Sequence, residues 1–197
     1  MKDKKINIAI FASGSGTNAQ TILEYFKDNS SVEIKCIYSN NSDAYVLQRA
    51  QNFNVATKSF TNEEFYKSDK VLTHLQDNEI DLIVLAGFMW FVPSKLVSNF
   101  TLLNIHPALL PKYGGKGMYG HFVHEAVIKN KEKKSGITIH YVNNEYDKGD
   151  IIFQASCNVS PSDTAEELAA KIHKLEHQYY PITILKVVEK LLSETEN

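Results

Sequence analysis

Ile6 to Ala12 is an almost unbroken apolar run that stops at Ser13-Gly14-Ser15-Gly16-Thr17. A run apolar on both faces reads as a strand covered on both sides of a parallel sheet, and the glycines as a tight turn. Thr17 to Phe26 then carries Ile22, Leu23 and Phe26 at helical spacing. The pattern recurs. Val32 to Tyr38 is a strand closed by Ser39-Asn40-Asn41, Ala44 to Asn52 reads as a helix, and Val55 begins a short strand. Glu63 to Gln76 reads as a longer helix and Asp81 to Phe88 as the most apolar strand. Alternation at this spacing predicts an α/β fold: a doubly wound, mostly parallel, Rossmann-like sheet in three α/β/α layers. Ligands of such a sheet sit beyond the carboxyl ends of its strands.

The second half is less regular. Pro93 to Phe100 reads as a short helix, and Leu102 to His106 as a strand that opens into Lys112 to Gly120. Four glycines in seven positions there, Gly114 to Gly120, predict a mobile loop. His121 to Lys129 is expected to be helical, with Ser135 to Val142 and Ile151 to Val159 as strands joined by the polar segment Asn143 to Asp150. A long helix follows Pro161, capped by Asp163 or Thr164. The 197 residues are expected to form a single domain.

Composition excludes several classes. A formal net charge of -2 gives no electrostatic case for nucleic acid or an anionic membrane. The Lys-rich start, Met1 to Lys5, precedes an apolar stretch too short for a signal peptide, and no apolar run is long enough to span a bilayer. Cys36 and Cys157 lack paired spacing and read as buried thiols in a reducing compartment, with the cytoplasm as default.

The chemistry-bearing residues start with Asn104-Ile105-His106-Pro107. Alternate residues of an extended segment point the same way, so Asn104 and His106 can face one cavity while Ile105 is buried opposite. Pro107 holds His106 extended. An amide beside a protonatable ring suits a reaction that builds negative charge on a carbonyl oxygen, although a strand end whose polar groups only bond backbone has the same pattern. Gly14-x-Gly16 aims backbone N–H groups at an anion, helped by the helix dipole. It also fits half of a dinucleotide fingerprint, but no acid stands at the ribose-binding position after the second strand. In the last helix Ala165, Leu168, Ala169, Ile172, Leu175 and Tyr179 form an apolar stripe with Glu176 on its edge, where a charge is paired, functional, or turned outwards. His121-x-x-His124 offers two ligand types without a third at a recognised spacing.

Asn104-Ile105-His106-Pro107-Ala108-Leu109-Leu110-Pro111 resembles the signature of the formyltransferases that use 10-formyltetrahydrofolate. Gly14 to Asn18, Leu85-Ala86-Gly87-Phe88-Met89, Asp147-Lys148-Gly149 and Glu176-His177 follow in the expected order across nearly the whole chain. They resemble the branch acting on phosphoribosylglycinamide (GAR) in purine synthesis. The resemblance implies Asn104, His106 and Asp147 as catalytic residues, Asp147 lying beside His106 and keeping it charged. It implies a GAR site of Gly16, Thr17, Asn18, His173, Lys174, Leu175 and Glu176, with Glu176 on the amine. The folate wall would be Met89, Trp90, Phe91, Val92, Asn104, Asn143, Asn144, Glu145, Tyr146 and Asp147. The N-terminal half would thus hold phosphate, and the C-terminal half would hold folate and the catalytic groups. It implies no metal and no tightly bound cofactor, the folate being a cosubstrate, and small-molecule partners only, for a monomer or weak homodimer.

Two departures stand out: Trp90 replaces an Arg common in relatives, and the Lys112 to Gly120 loop is a few residues longer. Methionyl-tRNA formyltransferase would need a further basic domain, and formyltetrahydrofolate deformylase an extra N-terminal one. Sugar-nucleotide formyltransferases share the core. A non-catalytic nucleotide-binding module would explain Gly14-x-Gly16 but not the company of Asn104, His106 and Asp147.

Overall fold

The computed structural model describes residues 5–195, so the Lys-rich start lies outside the described residues except for Lys5. In chain order the elements are β1 (Ile6–Phe11), α1 (Thr17–Phe26), β2 (Val32–Ser39), α2 (Tyr45–Gln51), β3 (Ala56–Ser59), α3 (Asn62–Tyr66) and α4 (Lys70–Asp77). They continue with β4 (Leu82–Leu85), α5 (Ser94–Val97), β5 (Thr101–His106), α6 (His121–Lys129), β6 (Lys134–Tyr141), β7 (Ile151–Asn158) and α7 (Ala165–Thr195). The seven strands form one sheet in the order β3-β2-β1-β4-β5-β6-β7. β1 to β5 pair in parallel, whereas β5 with β6 and β6 with β7 run antiparallel.

Strand alternation sorts the core into two layers. Ile6, Ile8 and Ile10 of β1, Leu82 and Val84 of β4, and Leu103 and Ile105 of β5 pack with α1, α2, α6 and α7. Ala9, Phe11, Ile83, Leu85 and Leu102 face the other way, onto Phe65, Val71, Leu75 and Leu96 of α3, α4 and α5. The doubly wound, three-layer expectation holds, with an antiparallel extension.

Several boundaries differ from expectation. The helix expected over Glu63 to Gln76 is two helices. Thr61 and Glu64 form a reciprocal cap on α3, and Ser68-Asp69 break the path before α4. The strand expected to reach Phe88 stops at Leu85, because the chain turns out of the sheet at Gly87, whose φ is +74°. Thr164, rather than Asp163, starts α7: its Oγ1 accepts from Glu167 N–H while Glu167 Oε2 accepts from Thr164 N–H. Cys36 is buried as expected, but Cys157 is only half-buried, on edge strand β7. No helix among the described residues is long and apolar enough to cross a membrane.

The sequence stripe on α7 is also rotated. The fully buried row is Leu168, Ile172, Glu176 and Tyr180, while Leu175 and Tyr179 are half-buried beside it. Glu176 therefore stands in the middle of the buried face, not on its edge. Tyr180 is wholly buried, and its hydroxyl donates to Leu85 O at 2.9 Å and approaches Leu103 O at 3.3 Å, tying α7 to β4 and β5. Tyr180→Phe leaves those carbonyls without this donor and should cost about 1–2 kcal/mol. A melting temperature lowered by about 2–6 °C is expected; an unchanged melt would show that the hydroxyl does not support this junction.

Candidate active site

The switch from parallel to antiparallel pairing at β5 builds the site. Leu103 and Ile105 enter one core layer, so Asn104 and His106 emerge on the opposite face. In β6, Ile137 and Ile139 enter the same layer as Leu103, which turns Thr138 and His140 to the face of Asn104. The register pairs Asn104 with His140 and His106 with Thr138. Cross-strand partners share a face, so an amide and two imidazoles converge.

Their hydrogen bonds fix the tautomers. His140 Nδ1 lies 2.7 Å from Tyr141 O, and a carbonyl only accepts, so Nδ1 carries the proton. His140 Nε2 then accepts from Asn104 Nδ2 at 3.2 Å, leaving the second amide proton of Asn104 for a ligand. His106 Nε2 donates to Tyr113 O at 2.7 Å, and its Nδ1 faces Asp147 Oδ2 at 3.6 Å. Asp147 Oδ1 is 3.8 Å from His140 Nε2, and Oδ2 accepts from Gly115 N–H at 2.8 Å. The turn that presents Asp147 is tight: its φ is +54°, and a Cβ at Gly149 would lie 1.8 Å from Tyr141 O.

The loop over Lys112 to Gly120 contains no regular element, but it is anchored to the site at Tyr113 and Gly115. Glu132 Oε1 accepts from both Lys112 and the Tyr113 hydroxyl, each at 3.0 Å.

Burial, not charge, dominates the histidines. His106 titrates below its ordinary range because burial outweighs the opposing pull of Asp147 and the Tyr113 carbonyl. Asp147 pulls His106 towards the charged form as the resemblance implies, while burial, at 4% exposure, holds the free protein's ring towards neutrality. Burial lowers His140 likewise. His124 is pushed down to about 4 by burial and by His173, His121 and His106. Glu176 moves up because it is buried, against the hydrogen bond it accepts from Asn18 Nδ2 at 2.9 Å.

At the other end, Gly16 starts α1 with φ +74° and ψ +31°, and a Cβ there would stand 2.3 Å from Val46 Cγ2. The turn is braced by Ser13, whose Oγ donates to Asn40 Oδ1 at 2.6 Å and accepts from Met89 N–H at 2.8 Å. Arg49 Nε from α2 donates to Ser15 O at 2.7 Å.

One cleft of about 380 Å³ joins the two ends. It is bordered by Gly16, Thr17, Asn18, His173 and Glu176, by Asn104, His106 and Asp147, and by Met89 to Val92 with Asn143, Glu145 and Tyr146. Lys174, Leu175 and Asn144 do not border it; the first is exposed and the second packs on the core. Trp90 does reach the cleft, stacked 5.9 Å from Tyr66 at 30° and supported by Phe60 and Phe65. His140, His124 and the Tyr113 carbonyl are site groups that sequence reasoning missed. Alternation in β6 places His140 only once its pairing with Asn104 is known. His121 and His124 diverge: the first is exposed and pairs with Glu125 at 3.0 Å, the second is buried.

The sheet and this cleft share the architecture of the formyl transferases. The formyl transferase family pattern matches residues 6–184, and the chain belongs to that family. It is 36% identical to the phosphoribosylglycinamide formyltransferase of Haemophilus influenzae, covering 96% of this chain and 91% of that one. With the Escherichia coli enzyme of the same name the identity is 34%, over 98% and 92% of the two chains. The crystal structure of phosphoribosylglycinamide formyltransferase from Anaplasma phagocytophilum superposes with a TM-score of 0.86 at 35% identity, covering 94% and 88%.

Three buried histidines shifted below the ordinary 6.5 have a consequence for stability. As pH falls, the unfolded chain binds their protons before the folded one does. Their contribution is therefore complete above about pH 6.5 and lost as pH drops towards the folded values, near 4 for His124. Glu176, shifted upwards, works in the opposite direction. The melting temperature should fall steadily from pH 7 to pH 4.5, and His124→Gln should flatten that slope. A wild-type melt independent of pH in this window contradicts neutral burial.

Proposed function

We propose that the chain transfers the formyl group of 10-formyltetrahydrofolate to the amine of GAR, giving formyl-GAR and tetrahydrofolate in purine synthesis. The carrying observation is the convergence of Asn104, His106 and Asp147 on a cleft that also reaches a glycine turn and a buried glutamate. Folate acts as cosubstrate, with no tightly held cofactor, and one domain holds both substrates. The enzyme is read as cytoplasmic, a monomer or weak homodimer, without nucleic-acid or membrane partners.

In this reading GAR phosphate meets the backbone N–H groups at the start of α1, near Gly16, Thr17 and Asn18. His173 and Glu176 border the acceptor's end, and Glu176 takes the amine. The folate pterin lies along Met89 to Val92 and Asn143 to Asp147. The amine attacks the formyl carbon, a C–N bond forms, and the carbonyl oxygen gains negative charge. Asn104 donates its free amide proton to that oxygen, with His140 holding the amide in place. His106 Nδ1, the face with a lone pair, takes up the amine's proton, and Asp147 stabilises the resulting imidazolium. The proton passes to N10 of the folate as the C–N10 bond breaks. Burial makes His106 reluctant to charge before this moment, so its positive charge arises with the oxyanion.

His106→Ala and Asn104→Ala should each cut turnover about a hundredfold or more with GAR binding nearly intact. A formylation assay with GAR beside an amino-sugar nucleotide reads both the loss and the acceptor. Unchanged turnover removes that residue from the mechanism, and preference for the sugar nucleotide replaces the acceptor.

Trp90, the chain's sole tryptophan, reports on the folate wall. A non-reactive folate analogue should change its corrected fluorescence saturably, and GAR alone much less, with Trp90→Phe as control. Analogue binding seen by calorimetry without a change in emission would move the pterin elsewhere.

A further inference from the structure

His124 is a buried group that the reaction above leaves unused. It is 3% exposed, yet it borders the cleft that Glu176 and His106 also border. Its Nδ1 is sealed from solvent and has no hydrogen-bond partner among the described residues. Buried polar atoms without partners are rare in native proteins and call for a reason. A sealed N–H without an acceptor is the costlier orphan, a bare lone pair the cheaper. The proton of the neutral ring therefore sits on Nε2. Nε2 is not among the sealed, unpartnered atoms, so it is the ring nitrogen left to meet a ligand from the cleft.

We propose that His124 is a substrate-contacting residue whose Nε2–H donates a hydrogen bond to the carbonyl oxygen adjacent to the acceptor's amine. The inference rests on the GAR reading, in which a glycinamide carbonyl stands two bonds from the nucleophilic nitrogen. The groups that act electrostatically on its ring are His173, His121 and His106, and the first and last of these border the same cleft as His124. All three neighbours are bases, so nothing there favours an imidazolium. The ring stays neutral and works as an uncharged electrophile, as depressed-pKa imidazoles do elsewhere. A cation here would repel an incoming substrate ammonium; a neutral donor does not. Anchoring the carbonyl fixes rotation about the bond to the amine carbon and so aims the nitrogen at the formyl carbon.

The test combines variants with an acceptor analogue in which a methylene replaces that carbonyl. Gln places its amide N–H where His carries Nε2, whereas Asn matches Nδ1. With GAR, His124→Phe should lose about tenfold to a hundredfold in kcat/KM while the KM for the folate stays put. His124→Gln should recover most of that loss, and His124→Asn little. Wild-type protein should lose a similar factor on the analogue, and His124→Phe should lose almost nothing more on it.

Undiminished kcat/KM in His124→Phe, equal losses on both acceptors, or better rescue by Asn than by Gln would each overturn the assignment. Should the variants fail to fold, the wild-type ring nitrogens are read directly with ¹⁵N-labelled histidine. The Nε2 resonance of His124 must move when GAR is added beside a non-reactive folate analogue, and a fixed resonance overturns the contact. Wild-type protein that leaves GAR unformylated removes the functional reading itself, a failure separate from any behaviour of the variants.

Discussion

The register between β5 and β6 is the constraint on which the site depends. Asn104 faces His140 and His106 faces Thr138 because Leu103, Ile105, Ile137 and Ile139 all go to one core layer. A slip of β6 by one residue would send His140 into that apolar layer and Ile137 and Ile139 into the cleft. Thr138 secures the arrangement, since its Oγ1 donates to Ala108 O at 2.7 Å and accepts from Leu110 N–H at 3.0 Å. That bond holds the chain just beyond Pro107 over the β6 strand. The packing of aliphatic residues on one side thus fixes the polar groups on the other.

Burial sets the chemistry of those polar groups more than their charged neighbours do. Asp147 is 3.6 Å from His106 and pulls its affinity for protons upwards, but desolvation pulls harder. The two effects differ in when they act. Desolvation is present throughout, whereas the attraction of a substrate oxyanion exists only during reaction. In the proposed mechanism, an imidazole held neutral in the resting cleft and charged by the transition state would bind that state selectively. The Tyr113 carbonyl contributes by engaging Nε2, which leaves Nδ1 as the edge that can gain a proton.

The parallel half of the fold was legible because each strand is an apolar run ended by a turn residue. The segments Thr17–Phe26 and His121–Lys129 emerge with the expected ends. Sequence reading failed where local signals were overruled by packing. The interval Glu63 to Gln76 has helical spacing throughout, yet the cap at Thr61 and the Ser68-Asp69 break make two helices of it. Glu176 was visible as a charge near an apolar stripe, but its central position depends on which side of α7 meets the sheet. Asn104 and His106 were legible as a pair because two residues in one strand share a face. His140 and the Tyr113 carbonyl were not, because they join the site through cross-strand pairing and loop closure, which leave no spacing to read.

The cleft also has a property that motifs alone do not reveal: among the described residues no lysine or arginine borders it. The sole arginine of the chain, Arg49, is instead committed to the far side of the glycine turn, donating to Ser15 O and lying 4.8 Å over the Tyr45 ring. In the proposed reading, positive potential at the acceptor's end comes from aligned backbone N–H groups at the start of α1 and from imidazoles. Such groups bind an anion through direction rather than net charge, so the geometry of the turn carries the selectivity. This is why Gly16 cannot give way: its left-handed backbone and its contact with Val46 together aim the first N–H groups of the helix. It also leaves the buried Glu176, held towards its neutral form, without a fixed cation that would draw it into a permanent ion pair.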